Sequence, residues 1–253
     1  MNKELKISVC MATYNGDRYI SEQLISILKQ LNIEDEVIII DDNSDDTTTQ
    51  IIENLNDSRI HLYKNKKNKG YIFSFARAIA LAKNEIIFLS DQDDIWILGR
   101  KVSMIRELEN SGKMLVSSNF IIVDPDGNNE TGTKYHLKQT DSNNNIKNIL
   151  KIFSVTKNYF GCAMAFKKEL KNIILPIPNF VESHDLWIAM AANILHSNWH
   201  MEGITLKKRI HGNNVSVYNR SLIDKINSRI IFIKSIIIIY HRKTLLNKKN
   251  SMV

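Results

Sequence analysis

Twice in its first hundred residues this chain drives an unbroken apolar run into a cluster of carboxylates. Val37–Ile40 ends at Asp41-Asp42-Asn43-Ser44-Asp45-Asp46, and Ile86–Leu89 ends at Ser90-Asp91-Gln92-Asp93-Asp94-Ile95-Trp96. A run that is apolar throughout, rather than alternating, suits a strand covered on both faces. Helical spacing lies between such runs: Ile20, Leu24, Ile27, Leu28 and Leu31, then Ile51, Ile52 and Leu55, then Ile72, Phe75, Ala76 and Ile79. With Lys6–Thr13 and Arg59–Tyr63 as further strands, the pattern predicts βαβ units and a parallel sheet. Ligands of such sheets bind beyond the strands' carboxyl ends, where both acidic clusters fall.

The second half has a different rhythm. Met114–Val123 reads as a long strand closed by the turn Asp124-Pro125-Asp126-Gly127. The Asn-rich stretch Asp141–Asn148 reads as a loop or lid, Gly161–Phe166 as a strand, and Trp187, Met190, Ala191, Ile194 and Leu195 as one helical face. With 253 residues, 43% of them apolar, and only 9 Gly and 3 Pro, disordered and collagen-like classes are excluded. Cys10 and Cys162 lie in apolar runs, so small core residues and a reducing compartment are expected. The N-terminus enters a strand directly, so no secretory leader is expected, and no apolar stretch reaches the length of a membrane span.

Converging carboxylates repel one another unless a cation lies between them, and oxygen donors point to Mg2+ or Mn2+ shared with phosphates. The plainer role of acids after strands is to cap helices and form turns, and that role suits Asp45 and Asp46 ahead of Thr47. Asp91 and Asp93 stand between apolar elements and suit ligand chemistry better.

Together, Ile7-Ser8-Val9-Cys10-Met11-Ala12-Thr13-Tyr14-Asn15-Gly16 and the two acidic blocks resemble the GT-A glycosyltransferases of family 2. The resemblance is to the branch of rhamnosyl-, glucosyl- and galactosyltransferases of bacterial surface polysaccharides. Ser183-His184-Asp185-Leu186-Trp187 and Arg209-Ile210-His211-Gly212-Asn213-Asn214-Val215-Ser216 agree, extending the match from about Lys6 to Ser216. The resemblance implies an α/β GT-A fold, a Rossmann-like nucleotide-diphospho-sugar transferase fold with a mostly parallel central sheet flanked by helices. It also implies an inverting, metal-dependent transferase using UDP- or dTDP-sugars. Residue by residue, Ala12 and Tyr14 would lie against the nucleobase, and Asp42 would accept the pyrimidine N3–H, which cytosine lacks. Asp91 would meet the ribose or the metal, Asp93 would be the main Mn2+ or Mg2+ ligand, and His211 a further metal or pyrophosphate ligand. Asp185 matches the base, although a carboxylate there could also be a helix cap. Trp187 reads either as core or as a ring for the acceptor sugar, and Arg209 with Gly212 suits an anion-facing loop. Ser74 stands where the family often has Asn, and His184 where an acidic residue is more usual.

The net charge of +7 is uneven: from Gly203 onward there are 11 basic residues and 1 acidic, against 23 and 26 before it. The division expected is a GT-A domain over 1–216 and a basic Ile- and Lys-rich helical tail over 217–253, set apart from the core. Ile230–Ile233 and Ile236–Ile239, flanked by Arg229, Lys234, Arg242, Lys243, Lys248 and Lys249, suit the interface of an anionic membrane or a packed helix. Nucleic-acid binding is not expected, because no aromatic-interleaved basic patch accompanies the charge. The expectation is a cytoplasmic enzyme, peripheral on the inner face of the membrane, acting on a lipid-linked saccharide acceptor. Two other readings are open. A sugar-phosphate nucleotidylyltransferase would want a glycine-rich loop where Ala12-Thr13-Tyr14-Asn15 stands; a non-catalytic sugar- or membrane-surface-binding module would want no base.

Overall fold

The computed structural model describes residues 5–128, 136–156, 159–212 and 221–251. The 213–216 end of the last motif and the expected boundary at 216/217 lie outside the described residues.

The expected parallel βαβ half is present. β1 (Ile7–Thr13) pairs in parallel with β2 (Glu36–Asp41) and with β4 (Ile86–Ser90), and β2 pairs in parallel with β3 (Ile60–Lys64). β2 is apolar throughout its middle because its two faces meet different cores. Ile38 and Ile40 join Phe75, Ala78 and Ile79 of α3 (Tyr71–Leu81). Val37 and Ile39 join Ile20, Leu24 and Ile27 of α1 (Ile20–Leu28), together with Ile52 of α2 (Thr48–Asn54). Each such side chain contributes about 1.5–3 kcal/mol on burial.

The sheet then changes direction. β7 (Met164–Lys167) runs antiparallel between β4 and β6 (Leu115–Val123), and β6 pairs in parallel with β8 (Asn198–Arg209). The two-residue β5 (Ile95–Trp96) pairs antiparallel with the end of β8, giving the order β3-β2-β1-β4-β7-β6-β8-β5. α4 (Arg100–Ser111) packs Met104 and Leu108 into the second core.

Three expectations change. Of Gly161–Phe166, only the part from Met164 is strand; Gly161–Ala163 is a 3-10 turn. Much of the Asn-rich stretch expected as a loop is the start of α5 (Asn145–Phe153). Its Asn148 is buried and donates to Asp141 O at 2.9 Å and Asn193 Oδ1 at 3.3 Å, so the amide is satisfied inside the fold. The tail helix α8 (Leu222–Asn250), capped by a reciprocal Ser221–Asp224 pair, is seated on the domain rather than set apart. Ile239 is 0% exposed among the residues of α6 (Lys171–Ile174) and α7 (His184–Ile194). Arg242 donates to Ile173 O and Pro176 O, and Lys243 to Ile194 O, so two basic side chains satisfy carbonyls at helix C-termini. Ile223, Ile226, Ile230, Ile233 and Ile237 remain exposed.

Candidate active site

β1 and β2 end side by side, and the chain turns at each end through an asparagine in the left-handed region, Asn15 (φ 46°) and Asn43 (φ 70°). Tyr14 is 46% exposed at this rim, and Ala12 lies partly buried below it. The Gln92 side chain ties β1 to the loop after β4. Its Oε1 accepts from Thr13 Oγ1 (2.6 Å) and Tyr14 N (2.9 Å), and its Nε2 donates to Tyr14 O (3.1 Å). A Cβ on Gly16 would collide with that amide. Asp42 is 3% exposed; its Oδ1 accepts from Asn65 Nδ2 (2.7 Å) and Lys69 N (2.9 Å), its Oδ2 from Gly70 N (2.7 Å). Ser74, where Asn is more usual, accepts from the same Asn65 amide at 3.0 Å. Asp46 does act at a helix start, accepting from Thr48 N at 2.9 Å.

The second acidic block is positioned by strand pairing. β5 opposes Leu206 and Lys207 of β8, so the next residues, Lys208 and Arg209, lie along Asp94 and Asp93. Lys208 Nζ lies 3.2 Å from Asp91 Oδ2, 3.9 Å from Asp94 Oδ2 and 3.6 Å from Cys162 Sγ. Asp94 Oδ1 accepts from Arg209 N (3.0 Å); its buried Oδ2 accepts no hydrogen bond from nitrogen or hydroxyl, its neighbours being that ammonium and the Cys162 thiol. Burial, with Asp91 and Asp93 nearby, pushes the Asp94 carboxyl up to about 7 despite Lys208. Burial and Asp91 likewise raise Asp93, against Lys208 and His211. For Lys208, burial would lower the ammonium, but Asp94 and its acidic neighbours raise it well above the ordinary range.

His211 Nε2 lies 2.8 Å from Asp93 Oδ2. The two atoms are hydrogen-bonded to one another, and each is of a type that could also ligate a divalent ion. Among the described residues, Asp91, Asp94 and Cys162 also bring one ligand atom each within 4.8 Å of one another. The carboxylates suit a hard cation, whereas burial holds the Cys162 thiol well above its usual pKa and neutral. The anion that Arg209 meets is a carboxylate of the protein itself. Its Nε donates to Asp93 O, Nη1 to Pro125 O and Nη2 to Glu22 Oε2, so it is a buried brace for the loop.

Asp185 is not the cap of α7, because Ser183 fills that position, its side chain accepting from Leu186 N. The carboxylate is instead in the first turn, with Oδ1 2.7 Å from His184 Nε2 in a contact too poorly aligned for a hydrogen bond. Burial works against its charge, but His184, the Gly161 amide and Lys208 outweigh it and hold Asp185 below its ordinary range. Gly161 is needed there, since a Cβ would stand 2.8 Å from Asp185 Oδ1 and 2.9 Å from His184 Nε2. Trp187 is 1% exposed and donates from Nε1 to Ile174 O at 2.9 Å, so it is a core residue and not a ring for a sugar.

A continuous set of contacts links both ends. Gly70 N reaches Asp42, the ring of the next residue, Tyr71, meets that of His184 edge-on at 5.6 Å, and His184 adjoins Asp185. On the other side Asp185 abuts Gly161, and Cys162 abuts Lys208 and hence Asp91. Lys208, Gln92 and Gly161 were not singled out from the sequence; the Lys-Arg pair just before His211 was the one available signal for Lys208. A shallow depression of about 430 Å3 beside Asn145, Leu150 and His196 includes none of these residues.

The sequence profile of glycosyl transferase family 2 matches residues 8–173, more than half of the chain. The chain belongs to glycosyl transferase family 2. This family 2 transferase is 31% identical over 117 residues to the UDP-Glc:alpha-D-GlcNAc-diphosphoundecaprenol beta-1,3-glucosyltransferase WfgD of Escherichia coli, covering 46% of each chain. It is 29% identical over 227 residues to the dTDP-rhamnosyl transferase RfbG of Shigella flexneri, covering 81% of this chain and 72% of that one. The chain spans about half the length of the Escherichia coli relative. Its fold matches that of S. aureus TarS 1–349 in complex with UDP-GlcNAc, with a TM-score of 0.66, 20% identity, and coverage of 85% of this chain and 62% of that one. The mannosyltransferase PcManGT from Pyrobaculum calidifontis, in complex with GDP-Man and Mn2+, matches with a TM-score of 0.58 at 20% identity, covering 80% of this chain and 56% of that one. The GT-A fold expected of the family 2 sequence is therefore the fold observed.

Proposed function

We propose that this family 2 transferase moves a hexosyl or rhamnosyl unit, with inversion, from a UDP- or dTDP-sugar to a lipid-linked saccharide in surface-polysaccharide assembly. The observation that supports this most is the unbroken rim of contacts from Asp42 through His184, Asp185 and Gly161 to Asp91. These contacts run from the Asp42 strand end, past the His184–Asp185 pair, to the acidic loop after β4. The proposed donors and acceptor follow WfgD, a UDP-Glc:alpha-D-GlcNAc-diphosphoundecaprenol glucosyltransferase, and RfbG, a dTDP-rhamnosyl transferase.

In this reading Tyr14 stacks on the pyrimidine, with Ala12 against it, and Asp42 accepts N3–H on Oδ2, which accepts from the Gly70 amide. Asp91 meets the ribose or the ion. Asp93, with Asp91 and His211, would hold a Mn2+ or Mg2+ ion, whose charge offsets that of the departing diphosphate. Asp185 takes the acceptor hydroxyl's proton as the acceptor oxygen bonds to the anomeric carbon. The bond from that carbon to the diphosphate oxygen breaks with its electron pair. The depressed pKa of Asp185 keeps the base ionised at neutral pH. The enzyme is placed on the cytoplasmic face of the membrane, with the exposed isoleucines and lysines of α8 at the lipid surface.

The test is transfer from UDP- and dTDP-sugars with Mn2+ to a lipid-diphosphate saccharide, with product anomery read by NMR. Asp185→Asn is expected to lower transfer about 10²–10⁴-fold while retaining the melting temperature. Transfer that survives the change would sink the base assignment. Release of pyrophosphate from a nucleoside triphosphate would favour the nucleotidylyltransferase reading instead.

A further inference from the structure

The acidic end of the site contains a cation of its own. Lys208 is carried there by the antiparallel pairing of β5 with β8, and its ammonium points into the space enclosed by Asp91, Asp94 and Cys162. Asp94 Oδ2, wholly buried and without a nitrogen or hydroxyl donor, faces the same space. These oxygens are the ones a small hard cation would draw on, and a carboxylate oxygen 3.2 Å from an ammonium cannot also be about 2.1 Å from a divalent ion on the same side without the two positive charges meeting.

We propose that Lys208 is the displaceable counter-cation of the ion site. Its ammonium partly offsets the charge of Asp91 and Asp94 before a divalent ion arrives, and it must withdraw from their oxygens for the ion to bind. The inference rests on the reading of Asp91 and Asp93 as the ion's holders and adds a competitor to it. The ammonium lessens the repulsion among the neighbouring acidic side chains in the ion-free protein, and it makes binding of the ion alone weak.

The experiment measures binding of Mn2+ alone, without donor, from the loss of the free-ion EPR signal. It compares wild type, Lys208→Met, Lys208→Arg and Asp93→Asn, each with its melting temperature with and without Mn2+. Lys208→Met is expected to bind Mn2+ at least tenfold more tightly than wild type and to gain a larger Mn2+-dependent rise in melting temperature. Lys208→Arg, which keeps the charge, is expected to gain neither. If Lys208→Met fails to fold, Lys208→Gln is the second neutral variant, with the same expectation. Neutral variants that bind Mn2+ no better than wild type, while Asp93→Asn still weakens binding, would overturn the role of Lys208 and leave the ion site standing. A Lys208→Arg variant as tight as Lys208→Met would overturn it too, since charge would not be the cause. No Mn2+ binding by wild type or any variant would remove the ion site and this inference together.

Discussion

His184 Nε2 stands 2.7 Å from Asp185 Oδ1, while the His184 ring stacks on Phe75 with centroids 4.2 Å apart. The imidazole is thus clamped between an aromatic face and the carboxylate that would act as base. Burial raises the Asp185 carboxyl, and His184 is foremost among the groups that reverse it. Because the folded-state pKa is depressed, the ionised base persists as pH falls below the ordinary carboxylate value. Its stabilising effect is lost only as pH passes through the lower folded value. His184→Asn is therefore expected to move the acidic limb of the kcat–pH profile upward. An unchanged limb with a merely reduced kcat would show that His184 packs without tuning the base.

At Gly161, Asp185 and His184 occupy space that a Cβ would need. Gly161→Ala would place a methyl group 2.8 Å from Asp185 Oδ1 and force the base aside. A displacement on that scale is expected to lower kcat about 10²-fold, with donor affinity, measured by thermal shift, little altered. Equal losses in both would place Gly161 in the donor site rather than beside the base.

Asp94, pushed up to about 7 by burial and by Asp91 and Asp93, binds a proton in the folded state at pH values where the unfolded chain has lost it. The sign is opposite to that of Asp185: stability of the ion-free protein falls as pH rises from about the ordinary carboxylate value to about 7. Asp94→Asn is expected to flatten that part of the melting-temperature–pH curve, measured in the presence of a chelator. A slope as steep as that of wild type would assign the pH dependence to other groups.

The two sides of α8 separate experimentally. Ile239→Ala, on the buried side, is expected to cost about 2–5 kcal/mol in denaturant unfolding. Replacing the exposed Ile230, Ile233 and Ile237 by Ser is expected to leave stability within about 1 kcal/mol and to reduce co-sedimentation with anionic vesicles. Unaltered vesicle binding would remove the membrane role proposed for this face.

The parallel half of the fold was readable because β2 and β4 are covered on both faces, which leaves an apolar run that stops where each strand ends. Asp42, Asp91 and Asp93 were found by that interruption together with the family resemblance. What could not be read depends on partners distant in the chain. Asn148 is helical because Asp141 O and Asn193 satisfy its amide, and no local propensity announces that. Lys208 meets Asp91 across more than a hundred residues through the pairing of two-residue β5, too short to leave a pattern. Trp187 and Asp185 stand two positions apart on one helix, yet one is buried in the core and the other lies against His184 and Gly161; the packing of α7 against Ile174 separates them.

The single amide of Gln92 has a wider consequence. Held by three hydrogen bonds to Thr13 and Tyr14 while it sits between Asp91 and Asp93 in the chain, it makes the end of β1 and the acidic loop after β4 one mechanical piece. A chimera that imports another enzyme's sugar-nucleotide preference by grafting the first loop alone will therefore misalign the second, and the two must be transplanted as a pair.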